Sequence, residues 1–299
     1  MRATIIGMGN RERRENELGP LVSVIIPTHN RAGWVGEAIG SVLEQTYKPI
    51  ELIVVDDGST DHTARVVQTF GSALTYLPQP QAGVSAARNR GVAASHGELV
   101  AFLDSDDRWQ PEKVAAQVEL LRQQPQTQVC YTDEIWFRHG VRVNPKHIHQ
   151  KCSGWMFLES LPRCLISPSS VMLRRSLWDR LGGFDERLPA CEDYDLWLRL
   201  TACVPVALVP QRLIVKRGGH ADQLSRCTPV LDRYRIIALD KMLRSALPLP
   251  HRQAVLTYLT QKCTIVAQGA RKRKHHARWA CYEAKARQYR RQLAGMRRI

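Results

Sequence analysis

An α/β fold around a mainly parallel sheet is what this sequence predicts, and three observations carry that expectation. β-Branched apolar runs recur and end in polar clusters, segments of helical periodicity separate them, and the composition is that of an ordinary globular protein. The chain has 299 residues, 44% hydrophobic and 24% charged. That length fits one large domain or two ordinary ones.

The elements follow in order. Residues 1–20 are polar and aperiodic and read as a flexible tail. Val22–Pro27 is a β-branched run closed by proline, as in a buried strand. Ala38, Ile39, Val42 and Leu43 then fall at helical spacing. Glu51–Val55 is a second buried strand, ending in Asp56-Asp57-Gly58-Ser59. Asp61–Phe70 reads as a helix, Leu74–Leu77 as a short strand, and Ser85–Ser95 as an Ala-rich helix. Glu98–Leu103 is the next strand, running into Asp104-Ser105-Asp106-Asp107, and Pro111 opens a helix at its favoured first turn. Val129–Phe137 and Val141–Asn144 suggest a hairpin about His139-Gly140. Ser169–Leu173, Val206–Val209 and Arg212–Lys216 read as strands and Tyr194–Thr201 as an amphipathic helix. From about Pro229 the chain is helical.

In such sheets ligands sit beyond the carboxyl ends of the strands. Three polar clusters lie there: Thr28-His29-Asn30, the Asp56 turn and the Asp104 turn. They are expected to converge. Asp104-Ser105-Asp106 suits a hard divalent cation, Mg²⁺ or Mn²⁺, although strand-exit turns use the same residues. That much negative charge requires a positive partner among it. Asp56-Asp57-Gly58-Ser59 reads as a nucleotide contact or as a cap on the following helix. Gly83–Gly91 reads as a tight loop into a small-residue helix, suited to close approach of a ligand or of the sheet. Its Arg88 and Arg90 read as solvent-facing charges. Trp109, Trp155 and Trp197 read as core residues before they read as an aromatic ligand platform. Asp195 reads as a surface or helix-positioning residue.

The charge is unevenly spread. The formal charge is +15, yet from Arg271 onward there are eleven Lys and Arg against one acid, Glu283. In that stretch Trp279, Tyr282, Ala286, Tyr289 and Leu293 recur every three or four residues. The helix they define reads as docked by its aromatic stripe with a solvated basic face, or as lying on an anionic membrane. The eight cysteines include no CxxC pair, so they read as reduced thiols of a cytoplasmic protein. No apolar run reaches membrane-span length, which leaves peripheral contact at the inner membrane face as the closest approach to a bilayer. No nucleic-acid-binding motif is present, and no GxGxxG follows the first strand.

Taken together, VSVIIPTHNRA, ELIVVDDGSTD, GVSAARNRG, GELVAFLDSDDRWQPEK and CEDYDLWLR resemble, in order and spacing, the motifs of family 2 glycosyltransferases from about Leu21 to His220. The resemblance implies a GT-A fold, a Rossmann-like mixed sheet, spanning residues 21–222, with a basic helical C-terminal extension over 223–299. It implies inverting transfer of a sugar from a nucleotide-diphosphate donor, UDP being commonest in the family, to a saccharide or lipid-linked acceptor in cell-envelope synthesis. Pro27, Thr28, Asn30, Asp57, Gly83, Asn89, Asp104 and Ser105 are then expected around the nucleotide-sugar. Asp106 and His220 are expected at a divalent cation. Of the Glu192-Asp193 pair, Asp193 is expected to be the base. A catalytically inactive GT-A scaffold, or a protein that binds nucleic acid or anionic membrane through its basic tail, stays open as the alternative.

Overall fold

The structure, a computed structural model, describes residues 19–144, 147–219 and 230–296. His220, the expected boundary at 222 and nearly all of the expected N-terminal tail lie outside these residues.

Nine strands form one mixed sheet among the described residues. They are β1 (Val22–Thr28), β2 (Ile50–Asp57), β3 (Thr75–Gln79), β4 (Leu99–Phe102), β5 (Arg108–Trp109), β6 (Val129–Arg138), β7 (Val141–Val143), β8 (Val171–Arg174) and β9 (Ala207–Gly218). Their order is β3-β2-β1-β4-β8-β6-β9-β5, with β7 paired to β6. The first four are parallel, and β8 enters antiparallel to β4. From β1 the chain builds outward through β2 and β3, then returns to place β4 on the other side. The carboxyl ends of β1 and β4 therefore flank a topological switch point, where open α/β sheets bind ligands.

Strand residues feed opposite faces alternately. Ile25, Ile53, Val55, Val100 and Phe102 join one apolar cluster; Val24, Ile26, Leu52, Val54 and Ala101 join the other. This is the period-two consequence of the pleat, and burial on both faces explains why the strands read as continuous apolar runs. The second cluster packs under α1 (Val35–Leu43), α2 (Thr63–Gln68) and α4 (Lys113–Gln123). The first packs under α3 (Val84–Ala93), α6 (Arg175–Leu181) and α7 (Glu192–Thr201).

Helix α7 is apolar on two sides. Leu196, Trp197 and Leu200 face the sheet cluster, while Tyr194 and Leu198 join a third cluster with α5 (Phe157–Ser160), α8 (Asp232–Met242), α9 (Leu249–Lys272) and α10 (His276–Met296). The C-terminal helices thus share a core with the sheet domain through α7. Ala286 and Tyr289 of the aromatic stripe are buried in that third cluster, with Tyr282 and Leu293 packed against it. The stripe docks, and Arg271, Lys272, Lys285, Arg287 and Arg291 stay exposed.

Three readings of the sequence change. Val206–Val209 and Arg212–Lys216 form one strand rather than two, because Pro210 and Gln211 are accommodated as a bulge opposite β6 between Thr132 and Asp133. The segment opening at Ser169 begins as a 3₁₀ turn, Pro168–Ser170, before β8 starts. Asp195 is buried rather than at the surface, paired with Arg199 at 3.0 Å and with Lys241 of α8 at 2.7 Å. The hairpin about His139-Gly140 forms as expected, both residues having positive φ, as two-residue hairpin turns require.

Helix α3 lies close on the sheet. A Cβ at Gly91 would stand 2.4 Å from Ile25 Cγ2 and 3.1 Å from Val55 Cγ2. Gly40, inside α1, has nothing within 4 Å of that position. The same change should therefore have opposite signs at the two helical sites. Gly40→Ala raises the urea midpoint, by up to about 1 kcal/mol of stability. Gly91→Ala lowers it by about 1 kcal/mol or more, since the overpacking outweighs the helix gain. A Gly91→Ala protein as stable as the parent would contradict this packing.

Candidate functional site

The carboxyl ends of β1, β2 and β4 and the amino ends of α3 and α7 surround a cavity of about 930 Å³, within the size range of ligand sites. Pro27, Thr28, Asn30, Asp57, Gly83, Asp104, Ser105, Asp106, Glu192 and Asp193 all line it. The three polar clusters do converge. Pro27 sits beyond the last β1–β4 pair, Ile25–Phe102, so its missing N–H disturbs no ladder on that side.

Arg88 is the hub. It emerges from α3, is 3% exposed, and gives one guanidinium nitrogen to Asp104 (2.6 Å) and another to Glu192 (2.8 Å). Its Cζ lies 5.0 Å from the centre of the Phe184 ring. The expectation of a solvent-facing Arg88 is therefore corrected: it is the cation that the clustered carboxylates require. Burial pushes the Glu192 carboxyl up, Asp193 adds to that, and Arg88 opposes both.

Asn89 is a second correction. Its amide donates to the Phe184 carbonyl (2.9 Å) and to Glu186 (2.8 Å), and its oxygen accepts the Phe184 N–H (2.9 Å). One residue past Arg88 on the helix, it points toward the Gly183-Phe184 turn and does not line the cavity.

The remaining residues divide into scaffolding and open groups. Asp57 accepts from Gln79 Nε2, Ala82 N and Gly83 N at 2.7–2.8 Å, so it shapes the loop entering α3. Asp56 accepts from Ser59 N and Tyr76 Oη. Asn30 Oδ1 accepts from Thr60 N at 2.8 Å, and His29 Nδ1 lies 2.9 Å from the Asp57 carbonyl oxygen. Thr28 Oγ1 and Ser85 Oγ, by contrast, are buried, line the cavity and find no partner among the described residues. Buried hydroxyls without partners are costly unless a ligand meets them.

The Asp104 turn spends its carboxylates unequally. Asp104 is held by Arg88. Asp107 accepts from Ser169 Oγ (2.6 Å) and Arg217 N (3.0 Å). Burial and then Asp106 push Asp107 well up, against Lys216. Burial alone would depress the Lys216 ammonium; Glu134, Asp107, Asp104 and Asp193 outweigh it and push its pKa up. Sequence reading missed Lys216, whose only signal was the need for positive charge near the acids. Asp106 is half-buried and lines the cavity.

Among the described residues no three His, Cys, Asp or Glu side chains are grouped closely enough to hold a metal. Hard carboxylate oxygens at a cleft nevertheless fit a Mg²⁺ or Mn²⁺ shared with substrate phosphates, which needs only one or two protein carboxylates.

Glu192 and Asp193 open α7, where the helix dipole favours negative charge. Cys191 before them has φ +61°, a strained conformation for a non-glycine residue. Asp193 accepts from Cys164 Sγ at 3.4 Å and from Tyr194 N at 2.6 Å. Trp109 and Trp197 are buried, and Trp155 is 65% exposed outside the cavity lining.

Comparison with known proteins identifies the family and the fold. The sequence profile of Glycosyl transferase family 2 matches residues 23–181. An uncharacterized glycosyltransferase of Rickettsia typhi is 32% identical over 229 residues, covering 75% of this chain and 72% of that protein. Another from Rickettsia conorii is 33% identical over 69% of this chain but only 35% of its own length, so this chain spans about a third of that longer relative. Among solved structures, S. aureus TarS 1-349 in complex with UDP-GlcNAc matches with TM-score 0.73 at 18% identity, over 90% of this chain and 81% of that one. The mannosyltransferase PcManGT of Pyrobaculum calidifontis, in complex with GDP-Man and Mn²⁺, matches with TM-score 0.61 at 20% identity, over 93% and 84%. The shared architecture is the GT-A fold with a helical C-terminal region.

Arg88→Gln should lower the unfolding free energy by about 3 kcal/mol or more, because it strands Glu192 and Asp104 in a buried site. Arg88→Lys should recover only part of this, because a point-charge ammonium on a flexible stem does not reproduce the rigid planar fork that gives one nitrogen to each carboxylate. Urea unfolding of both variants checks this; a Lys variant as stable as the parent would contradict it.

Proposed function

The chain belongs to glycosyl transferase family 2, and from that premise we propose that it moves a sugar, with inversion at the anomeric carbon, from a nucleoside-diphosphate donor to an acceptor hydroxyl. The observation that carries this reading is the meeting, in one cavity, of the Asp104–Asp106 turn and the Glu192-Asp193 helix terminus, joined by Arg88. The nucleotide-bound neighbours support a nucleotide-sugar donor, and the Mn²⁺-bound one supports a divalent cation.

The donor occupies the larger cavity, with the nucleoside along Thr28, Asp57 and the loop at Gly83 and the ribose toward Asp104. Thr28 Oγ1 and Ser85 Oγ gain the partners they lack. Asp106 would hold the divalent cation, which would supply Lewis-acid neutralisation of the departing diphosphate.

Asp193 acts as the base. Glu192 is 5% exposed with one oxygen taken by Arg88, so its task is to hold the helix terminus against the donor turn. Asp193 lines the cavity with no cation bonded to it among the described residues. As the acceptor oxygen attacks C1, its proton passes to the Asp193 carboxylate. The C1–O bond breaks on the opposite side, and its electron pair leaves with the diphosphate. One base suffices for such a single displacement.

The acceptor is a saccharide or lipid-linked sugar of the cell envelope. The exposed cations of α10 make electrostatic contact with an anionic membrane; no described helix is long and apolar enough to cross one.

Asp193→Asn should lower transfer by about 10²–10⁴-fold while leaving nucleotide binding intact in a thermal-shift screen of nucleoside diphosphates with and without Mn²⁺. Unchanged transfer would remove Asp193 as the base. Charge reversal at exposed Lys285, Arg287 and Arg291 should abolish co-sedimentation with anionic vesicles. Equal sedimentation of parent and variant would end the membrane role.

A further inference from the structure

Beyond Asp193 lies a second cavity, of about 230 Å³. It meets the larger one at Cys164, Asp193, Lys216 and Arg217, which line both. The carboxylate assigned as base therefore stands between a chamber large enough for a nucleotide-sugar and a smaller one on its other side.

The smaller chamber has a definite character. Glu134, Trp136 and Arg138 recur at every second position of β6 and so share a face of the strand, all three lining the cavity. Glu134 is already consumed. It is buried and takes Lys151 Nζ (3.2 Å), Ser167 Oγ and Trp136 Nε1 (2.7 Å). Burial would raise its pKa, but Lys151 and then Lys216 hold it at about 2. Lys151 in turn also donates to the Leu165 carbonyl, and Arg217 is paired with Glu37.

The outer end is different. Arg138 is exposed, and among the described residues its side chain makes no hydrogen bond or ion pair. His149 stands beside it, its ring 5.1 Å from that of Trp136 at 58°. Burial lowers the His149 pKa, and the cations Arg163, Lys151 and Arg138 lower it further against Glu134 alone. The local field is thus positive. A flat indole, a cationic outer end and a carboxylate at the inner end form one chamber.

We propose that this second cavity seats the acceptor and that its Trp136–His149–Arg138 end selects a sugar bearing a negative charge, a carboxylate or a phosphate, over a neutral sugar. The proposal rests on the glycosyltransferase reading and names the acceptor chemistry for it. The pyranose lies along the Trp136 ring. Its anionic substituent meets Arg138, for whose guanidinium no acid among the described residues competes. Its hydroxyl is left directed toward Asp193.

The test is calorimetric titration of the full chain with methyl glucuronide, glucose 6-phosphate and methyl glucoside, at low and high salt. At least one charged sugar should bind about tenfold more tightly than the neutral one, and salt should narrow the gap. Whichever charged sugar leads separates the carboxylate source from the phosphate source. Arg138→Gln should bring the preference to within about twofold, and Trp136→Ala should weaken all three sugars together. Equal binding of charged and neutral sugars, no binding of either charged sugar, or a preference indifferent to Arg138→Gln would overturn the proposal. Nucleoside-diphosphate binding to the same protein separates the two levels. If it persists while the charge preference is absent, only the acceptor assignment falls. If it too is absent, the glycosyltransferase reading itself is at fault.

Discussion

One buried guanidinium organises the site. Arg88 reaches from a helix that crosses one face of the sheet and holds a carboxylate from the turn after β4 and one from the terminus of α7. Asp104 and Glu192 belong to separate stretches of chain, and each would be costly to bury alone. With Arg88 between them they are mutually dependent, and the Asp104–Asp106 turn stays in fixed relation to the Glu192-Asp193 terminus. The remaining charges complete the balance. Lys216 sits among Glu134, Asp107, Asp104 and Asp193, so the acids of the cleft are neutralised from two sides while Asp106 and Asp193 still face the cavities.

The same helix terminus is braced from behind. Tyr194 and Leu198 carry α7 into the cluster formed by the C-terminal helices, and the Tyr194 hydroxyl donates to the Leu161 carbonyl. Lys241 of α8 spans Asp185, in the turn after α6, and Asp195 on α7. The extension thus bears on α7 through packing and through one ammonium shared by two carboxylates. Its apolar inner face holds α7 in place, while its basic outer face stays exposed.

Much of this was legible in the sequence because it depends on local pattern. Val22–Pro27 and Leu52–Val55 are buried on both faces, so they read as strands from composition alone. The acidic turns follow those strands directly, so their convergence follows from topology. The roles of polar side chains on α3 were not legible. Arg88 and Asn89 adjoin in sequence, but the helix turns them toward different neighbours about a hundred residues away, Glu192 and Phe184. Of the two readings of Asp195, surface or helix-positioning, the surface one fails because its partner Lys241 lies in the extension. Lys216 lies at the end of a long strand whose bulge at Pro210-Gln211 resets which side chains face the acids. Long-range pairing of this kind leaves no periodic trace.

The claim that Arg88 makes one unit of the two carboxylates is tested most directly by a double-mutant cycle on stability. Asp104→Asn, Glu192→Gln and the double variant are compared with the parent by urea unfolding at neutral pH. If both carboxylates act through Arg88, the double change departs from the sum of the single ones by about 1 kcal/mol or more. Additivity within about 0.5 kcal/mol would mean that the two carboxylates are independent and that Arg88 does not unite the site.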